Sequence, residues 1–313
     1  MVIQWYPGHM QKALRQMREK MNLIEVVFEL VDARIPISSC NPYVSDTIKG
    51  KPKVVLLNKW DKADPVKTKE WIEHYRSRGI IAVPVNALNG DGIKNIIPAA
   101  REALKEKLDK DKKNGMKPRA IRALIVGIPN VGKSTLINRL ANRRATVIGD
   151  RPGITKVQQW IKVGKELEML DTPGVLWNKF EDQEIGLKLA LTGAIKDEIL
   201  PIDEVVIYGI NFLLKYHPRR LAERYQTELT DPIEILDHIG KMRGARRGGV
   251  TDYDRVFNAF LIDLRGGALG KVTFDVQLWE RSVQKRLWSN NRSWWSWKRS
   301  ACGSFSRGWS YFR

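Results

Sequence analysis

Apolar and polar positions alternate in a regular order along the first half of the chain. Short β-type runs are predicted to be strands at 24–31, 53–57, 80–85 and 120–126, of which 53–57 fits a buried parallel strand, and two further short strands are predicted near 157–163 and 166–170. Helical periodicity lies between them, at 10–22, 65–78, 92–108 and 133–141. Strands alternating with helices predict an α/β domain with a mostly parallel sheet and helices on both faces.

The pattern changes after Gly174. Five helical segments follow, at 181–195, 203–216, 218–225, 231–243 and 252–264. They predict a separate, mostly helical domain over 179–275, after an α/β domain over 1–178. A charged stretch at 109–119, which contains Gly115 and Pro118, is predicted to be a linker inside the first domain. Residues 276–313 form a tail rich in Trp, Arg and Ser that has no period and is expected to be a divergent, frame-shifted or disordered extension.

The charge of the chain points to a polyanionic partner. The formal net charge is +19. Residues 1–178 carry 32 Lys and Arg against 18 Asp and Glu, residues 179–278 carry 14 against 16, and residues 279–313 carry 8 against 1. A basic surface that serves only solubility is the alternative. An excess of this size favours a nucleic-acid partner.

Three absences narrow the expected location. No apolar run approaches the roughly 18 to 20 residues that span a membrane, and the N-terminus lacks the apolar stretch of a secretory signal. Cys40 and Cys302 are the two cysteines, which implies neither a disulfide framework nor a cysteine metal site. A cytoplasmic protein is expected.

A phosphate-binding loop is predicted between the strand at 120–126 and the helix at 133–141. Gly127–Ser134 has the spacing G-x-x-x-x-G-K-S, which lets backbone N–H groups surround phosphate oxygens at a helix N-terminus. Lys133 is expected to reach the β- and γ-phosphates, and Ser134 to bind Mg²⁺. The alternative is a tight strand-to-helix turn. The predicted nucleotide-binding residues of this loop are Pro129, Asn130, Val131, Gly132, Lys133, Ser134 and Thr135.

Two further motifs complete the predicted phosphate side. Asp171-Thr-Pro-Gly174 follows an apolar strand, so Asp171 is expected to hold Mg²⁺ through water and the Gly174 N–H to sense the γ-phosphate. Thr155 is expected to complete the Mg²⁺ shell from the first switch segment. Taken alone, either motif is often only a turn, but their spacing from Ser134 favours the functional interpretation.

The base-reading motifs precede the phosphate loop. Asn58-Lys-Trp-Asp61 follows a strand, and the Asp61 carboxylate can accept the two donors of guanine, N1–H and N2–H₂. Asn58 is expected to support the loop, Lys59 to lie along the base, and Asn86-Ala87 to present the Ala87 N–H to guanine O6. Because the phosphate loop ordinarily comes first, this order predicts a circularly permuted P-loop GTPase domain that uses GTP and GDP.

The motif set resembles a known family. The order NKWD, NALNG, GIPNVGKST, PGIT and DTPG, with WYPGHM at the start and LVDARIP at 30–36, is similar to circularly permuted GTPases of the YlqF/RbgA ribosome-biogenesis type, from about residue 1 to about 275. The resemblance implies late assembly of the large ribosomal subunit and an rRNA-binding helical domain. The implied partners are a large-subunit precursor, its rRNA and its ribosomal proteins, and the protein is expected to be a monomer.

Catalysis needs a substitute for the glutamine that orients water in Ras-like proteins, because Val175 stands at that position. The permutation is expected to bring the N-terminal segment near the γ-phosphate, so His9 is the hypothetical water-orienting residue; a structural histidine is the alternative. Arg34 and Arg151 are weaker candidates for stabilising charge. Asn130 matches the position that helps to hold K⁺ in potassium-activated GTPases.

Two basic segments are candidate RNA contacts. One is 241–249, which can also be a solvated loop, and the other is the first helix with Lys12, Arg15, Arg18 and Lys20. The favoured function is a GTP-hydrolysing assembly factor, released from its precursor by hydrolysis. The alternative is a GTP-gated RNA-binding scaffold in which hydrolysis is incidental. A purely structural nucleic-acid binder is disfavoured by the complete nucleotide site.

Overall fold

The structure is a computed structural model, which describes residues 9–48, 50–146, 159–176 and 182–276, without the side chains of 9–13, 43, 45 and 199. The chain falls into two units, Met1–Asp275 and Val276–Arg313. Everything below concerns the first unit. The tail from residue 277 lies outside the described residues, and the division into domains at 178 and 275 stays a prediction.

One six-stranded sheet organises the first unit. Its strands are β1 Val26–Asp32, β2 Lys53–Asn58, β3 Ile81–Val85, β4 Ile121–Gly127, β5 Gln159–Val163 and β6 Leu167–Asp171. The spatial order is β3-β2-β1-β4-β6-β5, and every neighbouring pair is parallel except β5 with β6. The predicted mostly parallel sheet is confirmed, and the strand that enters the phosphate loop lies at its centre.

The burial of the strands explains why their sequences are apolar runs. Every residue of β1 is buried, as are all but the first of β2. Strands covered on both faces need hydrophobic side chains at successive positions, not at alternate ones. The edge strand β5 instead alternates exposed and buried residues over its last four positions, as a half-buried strand should.

Eleven α-helices lie in the described part of the chain. They are α1 His9–Lys20, α2 Pro42–Thr47, α3 Pro65–Arg76, α4 Ile96–Ala103, α5 Lys105–Lys113, α6 Lys133–Ala141, α7 Gln183–Leu191, α8 Ile202–Tyr216, α9 Pro218–Tyr225, α10 Pro232–Met242 and α11 Tyr253–Gly266. Asp-Pro pairs begin α3 and α10, where Asp64 and Asp231 accept backbone N–H groups of the first turn. No helix that the structure describes is both long and apolar enough for a membrane crossing.

Two local predictions were wrong. The helix predicted over 92–108 is interrupted at Leu104, and α5 continues to Lys113, so the first five residues of the predicted linker 109–119 are helical. Lysine favours helix, and the positive φ of 72° at Gly115 marks the real turn. The basic segment 241–249 holds half of a small hairpin, β7 Arg246–Arg247 and β8 Val250–Thr251. Helix α2 was not predicted.

The helices after β6 share one hydrophobic core with the sheet. Ile125 of β4, Leu189 of α7 and Phe260 of α11 are all fully buried in the same cluster. Residues 271–275, which we call the C-terminal strap, return to the sheet edge after α11. There the N–H groups of Val272 and Phe274 donate to the carbonyls of Lys62 and Arg34, at 3.0 and 2.7 Å. The C-terminal strap is therefore bound directly to the loops that follow β1 and β2.

Candidate nucleotide-binding site

The predicted motifs converge at the carboxyl edge of the sheet. Parallel register pairs Asp32 at the end of β1 with Asn58 at the end of β2, and Asn58 with Val85 at the end of β3. On the other side of β1, Leu30 pairs with Gly127, the first residue of the phosphate loop. In open α/β sheets, ligands bind outside the carboxyl ends of the strands where the strand order reverses.

The phosphate loop needs its glycines for close backbone approach. A Cβ on Gly127 would lie 2.6 Å from the carbonyl oxygen of Leu30, and one on Gly132 would lie 2.4 Å from Nδ2 of Asn58. Gly132 also has a φ of 102°, which L side chains rarely adopt. The loop then enters α6 at Lys133, so the backbone N–H groups of a helix N-terminus face the space for an anion.

Lys133 and Asp171 are two buried charged residues that influence each other electrostatically without an ion pair between them. Burial lowers the pKa of Lys133 to about 8, although Asp171 opposes the shift. Burial raises the pKa of Asp171 to about 6, although Lys133 opposes it. Both Asp171 oxygens are buried without a hydrogen-bond partner among the described residues. An unsatisfied buried carboxylate of this kind fits a magnesium ion or its water ligand, with Ser134 at the start of α6 as the second expected ligand.

The Asp171–Gly174 motif is fastened to the phosphate loop. Thr172 Oγ1 donates to the Ile125 carbonyl at 2.7 Å, and the Val175 N–H donates to the Gly127 carbonyl at 3.2 Å. A Cβ on Gly174 would lie 3.0 Å from Pro129 N and 3.2 Å from Lys133 Nζ. The structure thus brings Gly174 against the phosphate loop, and its role as a γ-phosphate sensor stays a prediction.

Asn58 joins the phosphate loop to the second base loop. Its Nδ2 donates to the Val131 carbonyl at 2.7 Å, and its Oδ1 accepts the Ala87 N–H at 3.0 Å. The geometry matches the expected supporting role of Asn58. Because the Ala87 N–H already has an acceptor, a guanine O6 would have to share that donor. Asn86 shapes the same loop, since its Oδ1 accepts the N–H groups of Leu88 and Asn89.

Lys59 lies between the two halves of the site. Its backbone is left-handed, with a φ of 58°, and its Nζ donates to the Asn130 carbonyl at 3.0 Å and pairs with Asp32 at 3.2 Å. Asp61 follows in a short 3-10 turn, Trp60–Lys62. Burial lowers the pKa of Lys59, and Asp32 opposes the shift. Lys59 therefore attaches the base-reading loop to the phosphate loop and to the end of β1. Asp61 is the carboxylate expected to read the base.

Asp32, to which the sequence assigned no role, and Arg34 form a buried ion pair beside the site. Arg34 donates from Nε and Nη2 to the two Asp32 oxygens at 2.9 and 2.7 Å, and from Nη2 to the Thr192 carbonyl at 3.1 Å. Both residues are buried. The sequence offered Arg34 as a stabiliser of charge at the phosphates, but the structure commits its guanidinium to this ion pair. The only sequence signal was a polar Asp-Ala-Arg at the end of an apolar strand.

Three predicted residues cannot be placed in the site. Thr155, with Arg151, lies in 147–158, outside the described residues, although Thr146 before this segment exchanges hydrogen bonds of 2.7 and 2.8 Å with Asn138 of α6. His9 is the first residue of α1, but its side chain is outside the described part. Their roles stay predictions.

Comparisons with known proteins agree with the geometry. A family model described as "50S ribosome-binding GTPase" matches residues 122–240. The protein named "Ribosome biogenesis GTPase A" from Bacillus licheniformis is 55% identical over 278 residues, which cover 88% of this chain and 98% of the relative. The protein of the same name from Thermotoga maritima is 33% identical and covers 87% of this chain and 93% of the relative. This chain belongs to the ribosome biogenesis GTPase A family.

Solved structures of the family show the same fold. GDP-bound TM YlqF superposes with a TM-score of 0.60 at 27% identity, covering 83% of this chain and 98% of that chain. GNP-bound YlqF from T. maritima superposes with a TM-score of 0.58 at 28% identity, covering 84% and 97%. The predicted YlqF/RbgA membership and the predicted GTPase activity are confirmed. The chain is a guanine-nucleotide-binding ribosome assembly factor.

The affinity of this GTPase for Mg²⁺-GDP should have a bell-shaped pH profile. Binding needs Asp171 as a carboxylate and Lys133 as an ammonium ion, whose pKa values in the free protein are about 6 and about 8. Affinity should therefore fall as pH drops below about 6 and as pH rises above about 8, by up to about tenfold per unit. Titration of a fluorescent GDP from pH 5 to pH 9 measures this, and a flat profile would contradict it.

Proposed function

We propose that this GTPase acts late in the maturation of the large ribosomal subunit. In this model it binds rRNA of the precursor in the GTP state and leaves after hydrolysis. The observation that carries the proposal is the direct packing of the nucleotide site against the helical segments, seen in the Arg34 to Thr192 hydrogen bond. The description of the matching family, "50S ribosome-binding GTPase", supports the large subunit as the target.

Different residues of the chain bind the base, the phosphates and the magnesium ion of the nucleotide. Asp61 reads the guanine edge, Lys133 and the backbone of the phosphate loop bind the phosphates, and Gly174 senses the terminal one. Ser134 and Asp171, with Thr155, would hold Mg²⁺, which neutralises charge on the phosphates when it is bound. The 8% exposure of Lys133 shows how little water reaches this part of the site, and low water content strengthens each of these electrostatic contacts.

The hairpin β7–β8 is the proposed RNA contact of the helical segments. Arg246 and Arg247 are exposed, and Gly248 and Gly249 between the strands have φ values of 58° and 83°. A tight turn that presents two arginines suits contact with phosphate groups. The neighbouring Arg243 is instead paired with Asp263, to which its Nη2 donates at 2.7 Å.

Co-sedimentation with purified large ribosomal subunits and their precursors tests the proposal. We expect more protein to sediment with a non-hydrolysable GTP analogue than with GDP, and more with precursors than with mature subunits. Arg246→Glu should weaken sedimentation in both nucleotide states, whereas Arg76→Glu, an exposed arginine of α3, is the matched control. Sedimentation that is independent of the nucleotide would refute the switch model.

A GTP-gated RNA-binding scaffold is the second candidate, because of Val175. This residue occupies the position of the water-orienting glutamine, is apolar and is 2% exposed. A scaffold needs the GTP state but not rapid hydrolysis. GTP turnover measured with and without precursor subunits separates the two candidates: strong stimulation supports the assembly GTPase, and unchanged turnover supports the scaffold.

We propose His9 as the residue that orients the attacking water. His9→Ala should lower subunit-stimulated turnover by about 100-fold, the lower end of the effect of a general acid or base, while GTP affinity stays unchanged. His74→Ala is the matched control, since His74 packs edge-on against Trp71 in α3 with 5.1 Å between ring centroids. Wild-type turnover in His9→Ala would remove His9 from the mechanism.

We further propose that Asn130 helps to bind K⁺. Its Nδ2 donates to the Gly193 carbonyl at 3.1 Å, so Oδ1 would be the ligand atom. A monovalent ion there would stabilise charge on the phosphates, as an arginine does in other GTPases. Turnover should be at least about tenfold higher in K⁺ than in Na⁺ at equal ionic strength, and equal rates would exclude this role.

A further inference from the structure

The loop after β1 is buried to an extent that is unusual for a connection between a strand and a helix. Residues 32–41, which we call the 32–41 loop, include eight buried residues out of ten. Loops ordinarily run over the surface, because a buried loop must satisfy all of its polar groups internally. In this loop those groups are satisfied partly within the loop and partly by four other parts of the molecule: the base-reading loop, the end of α7, the C-terminal strap and the segment after Gly174.

On the base side, the loop is bound to Lys59. The Asp32 carboxylate bridges Lys59 Nζ at 3.2 Å and the fork of Arg34 at 2.7 and 2.9 Å. Lys59 in turn reaches the phosphate loop through the Asn130 carbonyl. A displacement of the base-reading loop therefore acts on Arg34 through a charged contact at each step.

On the helical side, the loop is bound to the C-terminal end of α7. Arg34 donates to the Thr192 carbonyl, and Asn130 of the phosphate loop donates to the next one, Gly193, both at 3.1 Å. The two preceding carbonyls, Ala190 and Leu191, accept from Arg265 of α11. The last carbonyls of a helix have no partner within it and attract cations. The nucleotide site and α11 thus bind the same helix end.

A second contact clamps the loop from the C-terminal strap. The Asp275 carboxylate accepts the N–H groups of Ile37 and Ser38, both at 2.8 Å, and the Ser38 hydroxyl at 2.6 Å. It also pairs with Lys188 of α7 at 3.2 Å. Because Asp275 and Lys188 are both buried, the loop and α7 are held in register by a contact that water does not weaken.

On the phosphate side, the loop ends beside Gly174, the predicted γ-phosphate sensor. Asn41 Nδ2 donates to the Val175 carbonyl at 2.9 Å, directly after Gly174. Any movement of Gly174 toward a terminal phosphate therefore acts on Asn41. The 32–41 loop thus contacts the base-reading loop, the segment after Gly174, the end of α7 and the strap.

We infer that the 32–41 loop couples nucleotide occupancy to the position of α7, with Arg34 and Asn41 as positioning residues. The inference deepens the proposed function, on which it rests for its biological meaning, by naming the route from the nucleotide to the RNA-binding helices. A coupling between two sites is reciprocal. The same contacts therefore transmit the docking of a partner on the helical segments back to Lys59 and Gly174.

Hydrogen exchange of the full chain at saturating nucleotide tests the coupling. The reporters are the N–H groups of Thr192, Gly193 and Ala194, which bond to carbonyls of α7. In the wild type their exchange should differ by at least about fivefold between GDP and a non-hydrolysable GTP analogue, the lower end of measured couplings. In Arg34→Lys and in Asn41→Ala the difference should fall below about twofold.

Two variants of the 32–41 loop and one control separate the coupling from a loss of folding. Arg34→Lys keeps the charge beside Asp32 but removes the fork, and Asn41→Ala carries the test by itself if Arg34→Lys does not fold. Arg119→Lys is the matched control, because Arg119 binds Glu25 with a similar fork, at 2.7 and 2.9 Å, before β4. A wild-type difference retained in both variants overturns the inference, as does the absence of a difference in the wild type.

The failure of this inference is distinguishable from that of the proposed function. Exchange is measured on the protein alone, whereas the proposed function is tested by sedimentation with ribosomal subunits. Nucleotide-dependent sedimentation that survives in Asn41→Ala, with the exchange difference also intact, would leave the function standing and remove the 32–41 loop from it.

Discussion

Asp61→Asn is expected to weaken the binding of GDP and GTP by about 10²- to 10⁴-fold. The carboxylate can accept both guanine donors, and each hydrogen bond to a charged group contributes about 1.5–3 kcal/mol. An asparagine presents one acceptor and one donor. Its amide NH₂ would face the N2 amino group of guanine, so two hydrogen-bond donors would meet with no acceptor between them. The same amide complements xanthine, which has an oxygen at that position, and the variant should gain affinity for xanthosine nucleotides.

Competition titrations with GDP and xanthosine diphosphate measure both the loss of affinity for GDP and the gain of affinity for the xanthosine nucleotide. Asp91→Asn removes a charge from an exposed carboxylate beside the Asn86–Ala87 loop, and it should leave both affinities at the wild-type level. The base-reading loop should keep its conformation in Asp61→Asn, because the hydrogen bonds of Asn58 to Val131 and Ala87 do not involve Asp61. Loss of GDP binding with no gain for the xanthine nucleotide would indicate a collapsed loop and contradict the assignment of Asp61.

Lys133→Met is expected to lower GTP turnover by at least about 10³-fold. The ammonium group lies close to the expected position of the terminal phosphate, since a Cβ on Gly174 would lie 3.2 Å from its Nζ. Methionine fills a similar volume without the charge, so the loop keeps its packing. Nucleotide affinity should fall as well, because the phosphates lose a charge-assisted contact.

The stability of the same variant should change in the opposite sense. Lys133 is charged at neutral pH in a buried position that lowers its pKa to about 8, so the nucleotide-free protein holds it at a cost in folding free energy. Nucleotide-free Lys133→Met should therefore unfold at the same or a higher denaturant concentration than the wild type. Lys165→Met, at an exposed turn after β5, is the control for lost charge. A destabilised Lys133→Met would mean that Asp171 depends on this lysine.

The phosphate loop and the strands could be predicted because their signals are local. The glycines at 127 and 132 belong to one motif of eight consecutive residues, and buried strands must be apolar along their length. The error at 109–119 has a local cause too. The charged residues there looked like a linker, but lysine also favours helix, and α5 continues to Lys113.

The sequence alone determined that this protein is a permuted guanine-nucleotide-binding domain, since residue identity and spacing define each motif and its order. Only the tertiary structure decided how the motifs are connected. The contact between Ile37 and Asp275 spans 238 positions, and that between Arg34 and Thr192 spans 158. The pattern of apolar and polar residues along the sequence does not predict such pairs, because a buried polar group is satisfied by whichever residue the fold brings within about 3 Å. The burial of the 32–41 loop, and the link from nucleotide to helices that we infer from it, are therefore properties of the folded chain.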